Sequence, residues 1–491
     1  DIVYSYYQVE DGADVHLSFE IPLESVASYD DSGVTGHKSA WILEQGGYVF
    51  YAGADVRSAS EAYSLTLPET VVRQCKSALG PLTAFKRMVN SSGKPEFEDV
   101  PLTGEAFPHD HAKLPAEIPQ TGDRGIRLAD VVNGKNTLEE FTAQLTDYDL
   151  SCIIRGEGMG SPKVTAGTAA AFGGVSDTLT ALGIPCACCD DGPSGMRLDC
   201  GTKAFSLPNG TLLASTFDRP LMTELFTFMG LEMHTNQVDC LLGPGMNIHR
   251  HPLNGRNFEY FSEDSLLSGA MASNEIAGAK SKGVYSFMKH FALNDQETNR
   301  TNMVCTWANE QSIRETYLKP FEMSVKEGGA QAVMSSFNYI GYTYAGASSN
   351  LLQTVLRGEW GFKGFVLTDY FGGYGYQNAD QEVRAGNDSM LATTKITNHI
   401  TDKSATSVKA MRQAAHNILY TAANSWQYAN GEPKVATPIW KTAMYVAWGV
   451  TAVLVIGLEI VAIKRYLNRK KAVATVESAA EPVAAGPANA E

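Results

Sequence analysis

The chain has no excess of basic residues. Lys and Arg total 39 against 54 Asp and Glu, for a net charge of −15. A protein that coats duplex nucleic acid needs a basic face for the phosphates, so that class is excluded and no nucleic-acid partner is expected. Cysteine is scarce, at 8 in 491 residues, too few for a disulfide scaffold. Cys186, Cys188, Cys189 and Cys200 lie close together, but C-x-C-C is not zinc-knuckle spacing, and they read as small buried residues on a strand. Compositional bias is absent. With 44% hydrophobic and 19% charged residues, a mostly disordered or collagen-like chain is ruled out. The length fits roughly two to four domains, or one large α/β barrel with attachments. The first residue is Asp1 rather than Met, which fits a removed signal peptide or missing upstream sequence.

Long apolar runs are missing too, with one exception. Residues 442–463 (TAMYVAWGVTAVLVIGLEIVAI) hold a single charge, Glu459, and about 20 apolar residues span a bilayer core. Trp440, Tyr445 and Trp448 sit towards one end, as interfacial aromatics do, and Lys464, Arg465, Arg469, Lys470 and Lys471 follow the other. The segment reads as a transmembrane helix, with the bilayer as its partner. Residues 464–491 carry +2, leaving −17 on residues 1–463. That asymmetry places the large N-terminal part outside a cell membrane crossed once and the C-terminal tail in the cytoplasm. Residues 464–491 read as a basic juxtamembrane segment and, from 472, an Ala-, Pro- and Glu-rich disordered tail.

Residues 1–95 carry short β-type runs at Val15–Phe19, Ala40–Leu43, Tyr48–Ala52 and Ala62–Leu67. Asp30-Asp31-Ser32-Gly33 and Gln45-Gly46-Gly47 are turn signals between them. Residues 96–125 hold several prolines without a clear period and read as a connector. From 126 to 430 strand and helix signals alternate, as in a TIM-like (β/α)8 barrel, and 431–441 is a linker. The strand runs are Leu150–Ile154, Ile184–Cys189, Val238–Leu242, Val284–Met288, Ala332–Met334 and Phe365–Leu367. Thr137 with Glu140 forms a capping box ahead of Phe141–Leu145. Asn309 caps a helix running towards Glu327, and a last amphipathic helix covers about Ser404–Ala423.

The informative regularity is what ends each strand. Asp190 and Asp191 follow the second run, Asn247, His249 and Arg256 lie beyond the third, and Lys289 and His290 end the fourth. Ser335, Ser336 and Asn338 end the fifth, and Asp369 ends the sixth. A parallel barrel builds its active site from the C-terminal ends of its strands. The pattern therefore points to a barrel enzyme for a polar, hydroxyl-rich substrate. Taken alone, Asp369 in FVLTDY is a nucleophile, a metal ligand or a local cap. Lys289-His290 binds hydroxyls, holds a carboxylate ionised, or is structural. Asp191 and Arg197 put an acceptor and a fork-shaped donor on one tight turn.

Together the motifs are far more specific. DDGPSGMR (190–197), GPGMNIHRHPLNGRNFEYFSED (243–264), KHFALNDQETNR (289–300), MSSFNYIG (334–341) and LRGEWGFKGFVLTDY (356–370) resemble glycoside hydrolase family 3, the β-glucosidase family. The resemblance implies a retaining β-glycosidase with a β-glucoside or oligosaccharide as substrate, and with no metal and no cofactor. It makes Asp369 the nucleophile and Asp191 the carboxylate that grips sugar hydroxyls. It assigns Arg197, Arg256, Lys289 and His290 to the same sugar subsite. KHFALNDQETNR differs from the KHFPGHG pattern of the N-acetylglucosaminidase branch, and Asp191 favours glucose over xylose.

Three departures from the family matter. Phe337 stands where Tyr is common, so a hydroxyl near the nucleophile is lost. Tyr370 stands where Trp is common, on the leaving-group side. Residues 14–87 resemble the end of a fibronectin type III-like domain, so 1–95 is expected to be a partial domain of that kind, in a permuted order. The α/β sandwich domain that carries the family's acid/base Glu would then be encoded upstream. Glu157, Glu259, Glu263 and Glu297 are acid/base candidates by residue type only. A second expectation is a membrane-anchored glycan-binding or sensing protein, catalytically impaired, on the same scaffold.

Overall fold

The computed structural model describes residues 18–81, 83–100, 116–161, 163–372, 374–391, 400, 402–428 and 439–479. The chain divides into two units, residues 1–433 and 434–491, each described by itself.

Among the described residues, the N-terminal part of unit one holds seven strands: β1 (Ser28–Asp30), β2 (Ala40–Leu43), β3 (Gly46–Ala52), β4 (Ser60–Leu67), β5 (Thr70–Gln74), β6 (Lys86–Ser91) and β7 (Lys94–Asp99). They form an antiparallel sheet β1-β2-β5 and two hairpins, β3–β4 and β6–β7. Three of the expected runs are strands. Of Val15–Phe19, residues 15–17 lie outside the described residues, and Ser18 and Phe19 are not in a strand. The turn at Asp30 forms because its Oδ1 accepts the Ser32 and Gly33 N–H groups at 3.0 and 2.6 Å. Two boundaries change. Gly46 and Gly47 belong to β3 rather than to a turn. Residues 96–99, read as connector, belong to β7, where they pair antiparallel with β6.

Eleven further strands follow: β8 (Glu157–Gly158), β9 (Ala170–Gly173), β10 (Cys186–Asp191), β11 (Cys240–Leu242), β12 (Tyr285–Phe291), β13 (Cys305–Thr306), β14 (Ala332–Ser335), β15 (Tyr339–Ile340), β16 (Thr343–Tyr344), β17 (Phe365–Tyr370) and β18 (Ser389–Leu391). Eight make one sheet in the order β18-β17-β14-β12-β11-β10-β9-β8. Strands β10, β11, β12, β14, β17 and β18 run parallel, whereas β9 is antiparallel to both its neighbours. The fold is a barrel-like α/β domain that departs from a regular (β/α)8 repeat. Strands β13, β15 and β16 form a small separate sheet.

Both faces of the parallel strands are buried, so their sequences are continuous apolar runs. Alternate residues serve two cores. Cys240, Leu242, Tyr285, Phe287, Ala332, Met334, Phe365 and Leu367 face one. Leu241, Val284, Met288, Val333 and Val366 face the other, against the helices Arg219–Thr235 and Ser265–Lys280. Aromatic rings fill the first core, with Phe365 edge-on to Phe172 at 5.3 Å and to Phe287 at 4.7 Å between centroids.

One strand assignment is overturned. Leu150–Ile154 lies in a helix, Asp147–Arg155, rather than a strand. A short apolar run fits either state. Here a capping box decides, with Thr146 and Asp149 exchanging side-chain and backbone hydrogen bonds. The end of this helix meets the last strand, where Ser389 Oγ donates to Ile154 O at 2.8 Å. The capping box at Thr137 and Glu140 forms as expected, and the late helix spans Ala405–Ala423. Asn309 sits at an N-cap position without a side-chain cap bond. The helix it begins passes through a π-helical stretch, Ile313–Tyr317, before resuming at Lys319–Lys326. That stretch carries Arg314, which ties the β-region to the barrel-like domain. Its guanidinium bonds Glu310, Glu359 and the carbonyl of Lys76, and stacks over Tyr29 at 4.6 Å.

In unit two, helix Ile439–Ala479 is long and apolar enough to cross a bilayer. It covers the expected 442–463 segment and runs past it in both directions. Residues 439–441, read as linker, and 472–479, read as tail, are helical; residues 431–438 and 480–491 lie outside the described residues.

Candidate active site

The C-terminal ends of the parallel strands bring the expected residues together. Asp191 closes β10, Lys289 and His290 lie in β12, Phe337 follows β14, and Asp369 is near the end of β17. Arg256 arrives on the long loop after β11. The turn after Asp191 requires glycine: a Cβ on Gly192 would sit 2.1 Å from Gly195 O, and its φ is +145°.

Lys289 Nζ donates to Asp191 Oδ1 at 3.1 Å. Burial opposes charge on Asp191, but Lys289, Arg256 and Arg197 outweigh it and hold the carboxyl below the usual range. Asp191 is therefore an ionised acceptor, suited to hydroxyl groups. Arg197 contributes only through its field. Its side chain is largely exposed and pairs with Asp199 at 3.0 Å, while its backbone N–H donates to Asp190 Oδ2 at 2.7 Å. Asp190 is fully buried, and its carboxyl is pushed up to about 8, first by burial and then, against the Arg197 N–H bond, by the charges of Asp191 and Asp199.

Asp369 is 7% exposed. Arg300 Nη1 lies 3.4 Å from its Oδ2, His290 Nε2 lies 3.7 Å from the same oxygen, and the Tyr370 N–H donates to Oδ1 at 2.7 Å. Arg300 is itself held by Glu297 at 3.1 Å and stacks over the Phe337 ring at 4.8 Å. Phe337 packs edge-on against Tyr374. It thus supplies a cation–π seat for Arg300 in place of a hydroxyl. Tyr370 is 48% exposed at the rim.

His290 is bracketed by Asn247, whose Oδ1 accepts the His290 N–H at 2.8 Å and whose Nδ2 donates to the His290 carbonyl at 3.0 Å. Burial, then Arg256, Lys289 and Arg300, drives its pKa well below the usual value, so the ring is neutral. Of the four Glu candidates, Glu157 pairs with Arg155, Glu259 with Arg256, and Glu297 with Arg300. Glu263 is exposed. Three of the four are thus held in ion pairs, and the hydrogen bonds and ion pairs of Asp369 involve Arg300, His290 and Tyr370 rather than any of them. The described residues contain no cluster of His, Cys, Asp or Glu arranged to hold a metal.

Sequence reasoning missed Arg300 as a partner of Asp369, and with it Tyr260 and Asn294; Asn247 was named as a strand-end polar residue, but not as the partner of His290. Arg300 ends a quoted motif, but a loop residue's spacing does not reveal where its side chain points.

Residues 123–423 match the model of the Glycosyl hydrolase family 3 N terminal domain. A β-glucosidase of Ruminococcus albus is 56% identical over 357 residues, covering 72% of this chain and 38% of that protein. β-Glucosidase A of Butyrivibrio fibrisolvens is 35% identical, covering 78% and 48%. Among solved structures, a β-glucosidase from Paenibacillus barengoltzii superposes with a TM-score of 0.76 at 41% identity, covering 85% of this chain and 48% of that one. β-Glucosidase 3B from Thermotoga neapolitana, in complex with α-D-glucose, gives 0.53 at 32% identity, covering 64% and 46%. The chain thus spans between about two fifths and one half of the length of these relatives.

Proposed function

The chain belongs to glycosyl hydrolase family 3, and from that premise we propose that it is the barrel portion of a retaining β-glucosidase acting on terminal β-linked glucose. The observation that carries this reading is the pairing of two carboxylates with different surroundings. Asp191 sits against Lys289 as an acceptor for sugar hydroxyls, while Asp369 sits against Arg300 as the attacking carboxylate. The carboxylate of Asp369 adds to the anomeric carbon as the aglycone oxygen leaves with the bonding pair, giving a glycosyl ester that water then hydrolyses. Lys289, Arg256 and His290 hold and orient the sugar, Arg197 adds charge, and Tyr370 borders the aglycone side. The leaving group's proton comes from a partner domain outside the barrel, an α/β sandwich in our reading. Residues 1–95 are then the partial fibronectin type III-like domain that joins the two.

The test is hydrolysis of 2,4-dinitrophenyl β-glucoside, whose leaving group needs little protonation. The first-formed sugar, followed by proton NMR, should be the β anomer, and Asp369→Asn should abolish turnover. The α anomer as first product would rule out retention. A second reading, a glycan-binding or sensing protein, draws on Phe337 and on the unassigned acid. It expects glucose binding without turnover even when the partner domain is supplied.

We further propose that residues 442–463 anchor the protein in the cell membrane, with the barrel outside and residues 464–491 in the cytoplasm. The apolar run, the aromatics at one end and the cations at the other support this. Release from membranes by alkaline carbonate would count against it.

A further inference from the structure

One donor and one acceptor flank the imidazole of His290, and they leave it a single tautomer. Arg256 Nη1 lies 3.0 Å from His290 Nε2. A guanidinium has donors only, so Nε2 must offer its lone pair. On the other side of the ring, Nδ1 lies 3.2 Å from the Tyr260 hydroxyl. That hydroxyl receives Nδ2–H of Asn294 at 3.1 Å and directs its own proton to Asn294 O at 3.5 Å. With Nε2 accepting from Arg256, the proton of the neutral ring resides on Nδ1, and the Tyr260 hydroxyl meets it with a lone pair. Tyr260 and Asn294 are both fully buried, so water does not offer an alternative partner.

We propose that Tyr260 is a positioning residue that holds His290 as the Nδ1–H tautomer, so that His290 meets the substrate only as a hydrogen-bond acceptor at Nε2. The 3.7 Å approach of Nε2 to Asp369 Oδ2 is then a meeting of two acceptors rather than an ion pair. A sugar hydroxyl entering there donates to Nε2, taking over its one lone pair from Arg256 Nη1–H. His290 discriminates for a hydroxyl and against any group that can only accept. The inference rests on the sugar-binding reading for its ligand, but the tautomer stands without it.

The direct measurement is nitrogen-15 NMR of the full chain in detergent, labelled at histidine, with His290 assigned by the loss of its signals in His290→Ala. The expected spectrum has a protonated Nδ1 and an unprotonated Nε2 across the neutral pH range. A proton on Nε2, or on both nitrogens, overturns the proposal. Tyr260→Phe should speed exchange of the Nδ1 proton with water and raise KM more than it lowers kcat. Unchanged exchange in a folded variant counts against Tyr260, and if the variant does not fold, the wild-type spectrum alone decides.

The second measurement uses glucose derivatives with one hydroxyl replaced by hydrogen or by fluorine. The position that meets His290 is the one whose penalty vanishes in His290→Ala. There fluorine should bind at least about fivefold more weakly than hydrogen, since it adds a third acceptor where a donor is needed. Equal binding of the two would overturn the acceptor role. If wild type binds no glucose at all, the sugar-binding reading fails while the NMR result is unaffected.

Discussion

The guanidinium of Arg300 lies 3.4 Å from Oδ2 of Asp369 and is seated between the Glu297 carboxylate and the Phe337 ring. A cation here pins the carboxylate's rotamer and so its line of attack. Replacing Arg300 by Met should slow formation of the glycosyl-enzyme roughly tenfold, the scale of one charged hydrogen bond. Arg300→Lys should recover part of the loss. The rate of labelling by an activated 2-deoxy-2-fluoro glucoside measures this, and an unchanged rate in Arg300→Met would show that the contact is idle.

Lys289 opposes the effect of burial on Asp191. In Lys289→Met that burial is less well compensated, so the carboxyl takes up a proton at higher pH than in wild type. Charge on Asp191 is present above its pKa and lost as pH falls through it. Glucose binding by the variant should therefore weaken earlier as the solution is acidified. Calorimetric titrations at several pH values check this, and parallel pH profiles for the two proteins would contradict it.

Asp190 behaves oppositely. Its folded-state pKa is raised from 3.8 to about 8. Between those values the unfolded chain has released the proton while the folded chain keeps it, so this group makes stability fall as pH rises. Asp190→Asn retains the acceptor for the Arg197 N–H without the titration. Its Tm advantage over wild type should widen from acid to mildly alkaline pH and then level off. A constant difference would show that Asp190 does not titrate in this window.

Arg314 joins Glu310, Glu359 and the Lys76 carbonyl, with both it and Glu310 almost completely buried. Removing one partner of a buried ion pair strands the other charge, at about 3–5 kcal/mol. Arg314→Met should lower Tm sharply and loosen the β-region, read as faster proteolysis before residue 100. Loss of less than about 1 kcal/mol would mean that Arg314 does not hold the two regions together.

Much of this site was legible in the sequence because chemistry and strand position coincide. Buried parallel strands are continuous apolar runs, so the polar residue that ends each run marks the rim of the sheet. Asp191, Lys289, His290 and Asp369 were found that way. Leu150–Ile154 was misread because its apolar run is too short to show a period, and the deciding signal, Thr146 with Asp149, lies before it. The antiparallel β9 was hidden because Ala170–Gly173 has little side chain to mark a strand. Arg300 and Tyr260 were illegible for a different reason. Both reach the site from loops, and only the folded path of a loop shows which group its side chain meets. Arg197 is the converse case: its motif was conspicuous in the sequence, yet its guanidinium turns to Asp199.

The central claim is that Asp369 is the nucleophile. The most direct measurement is mass spectrometry of the full chain after incubation with 2,4-dinitrophenyl 2-deoxy-2-fluoro-β-glucoside, followed by peptide mapping. The expected result is one added fluoroglucosyl group, carried by the peptide containing Asp369 and absent in Asp369→Asn. A label on another carboxylate, or no label on a chain that binds glucose, would contradict the account.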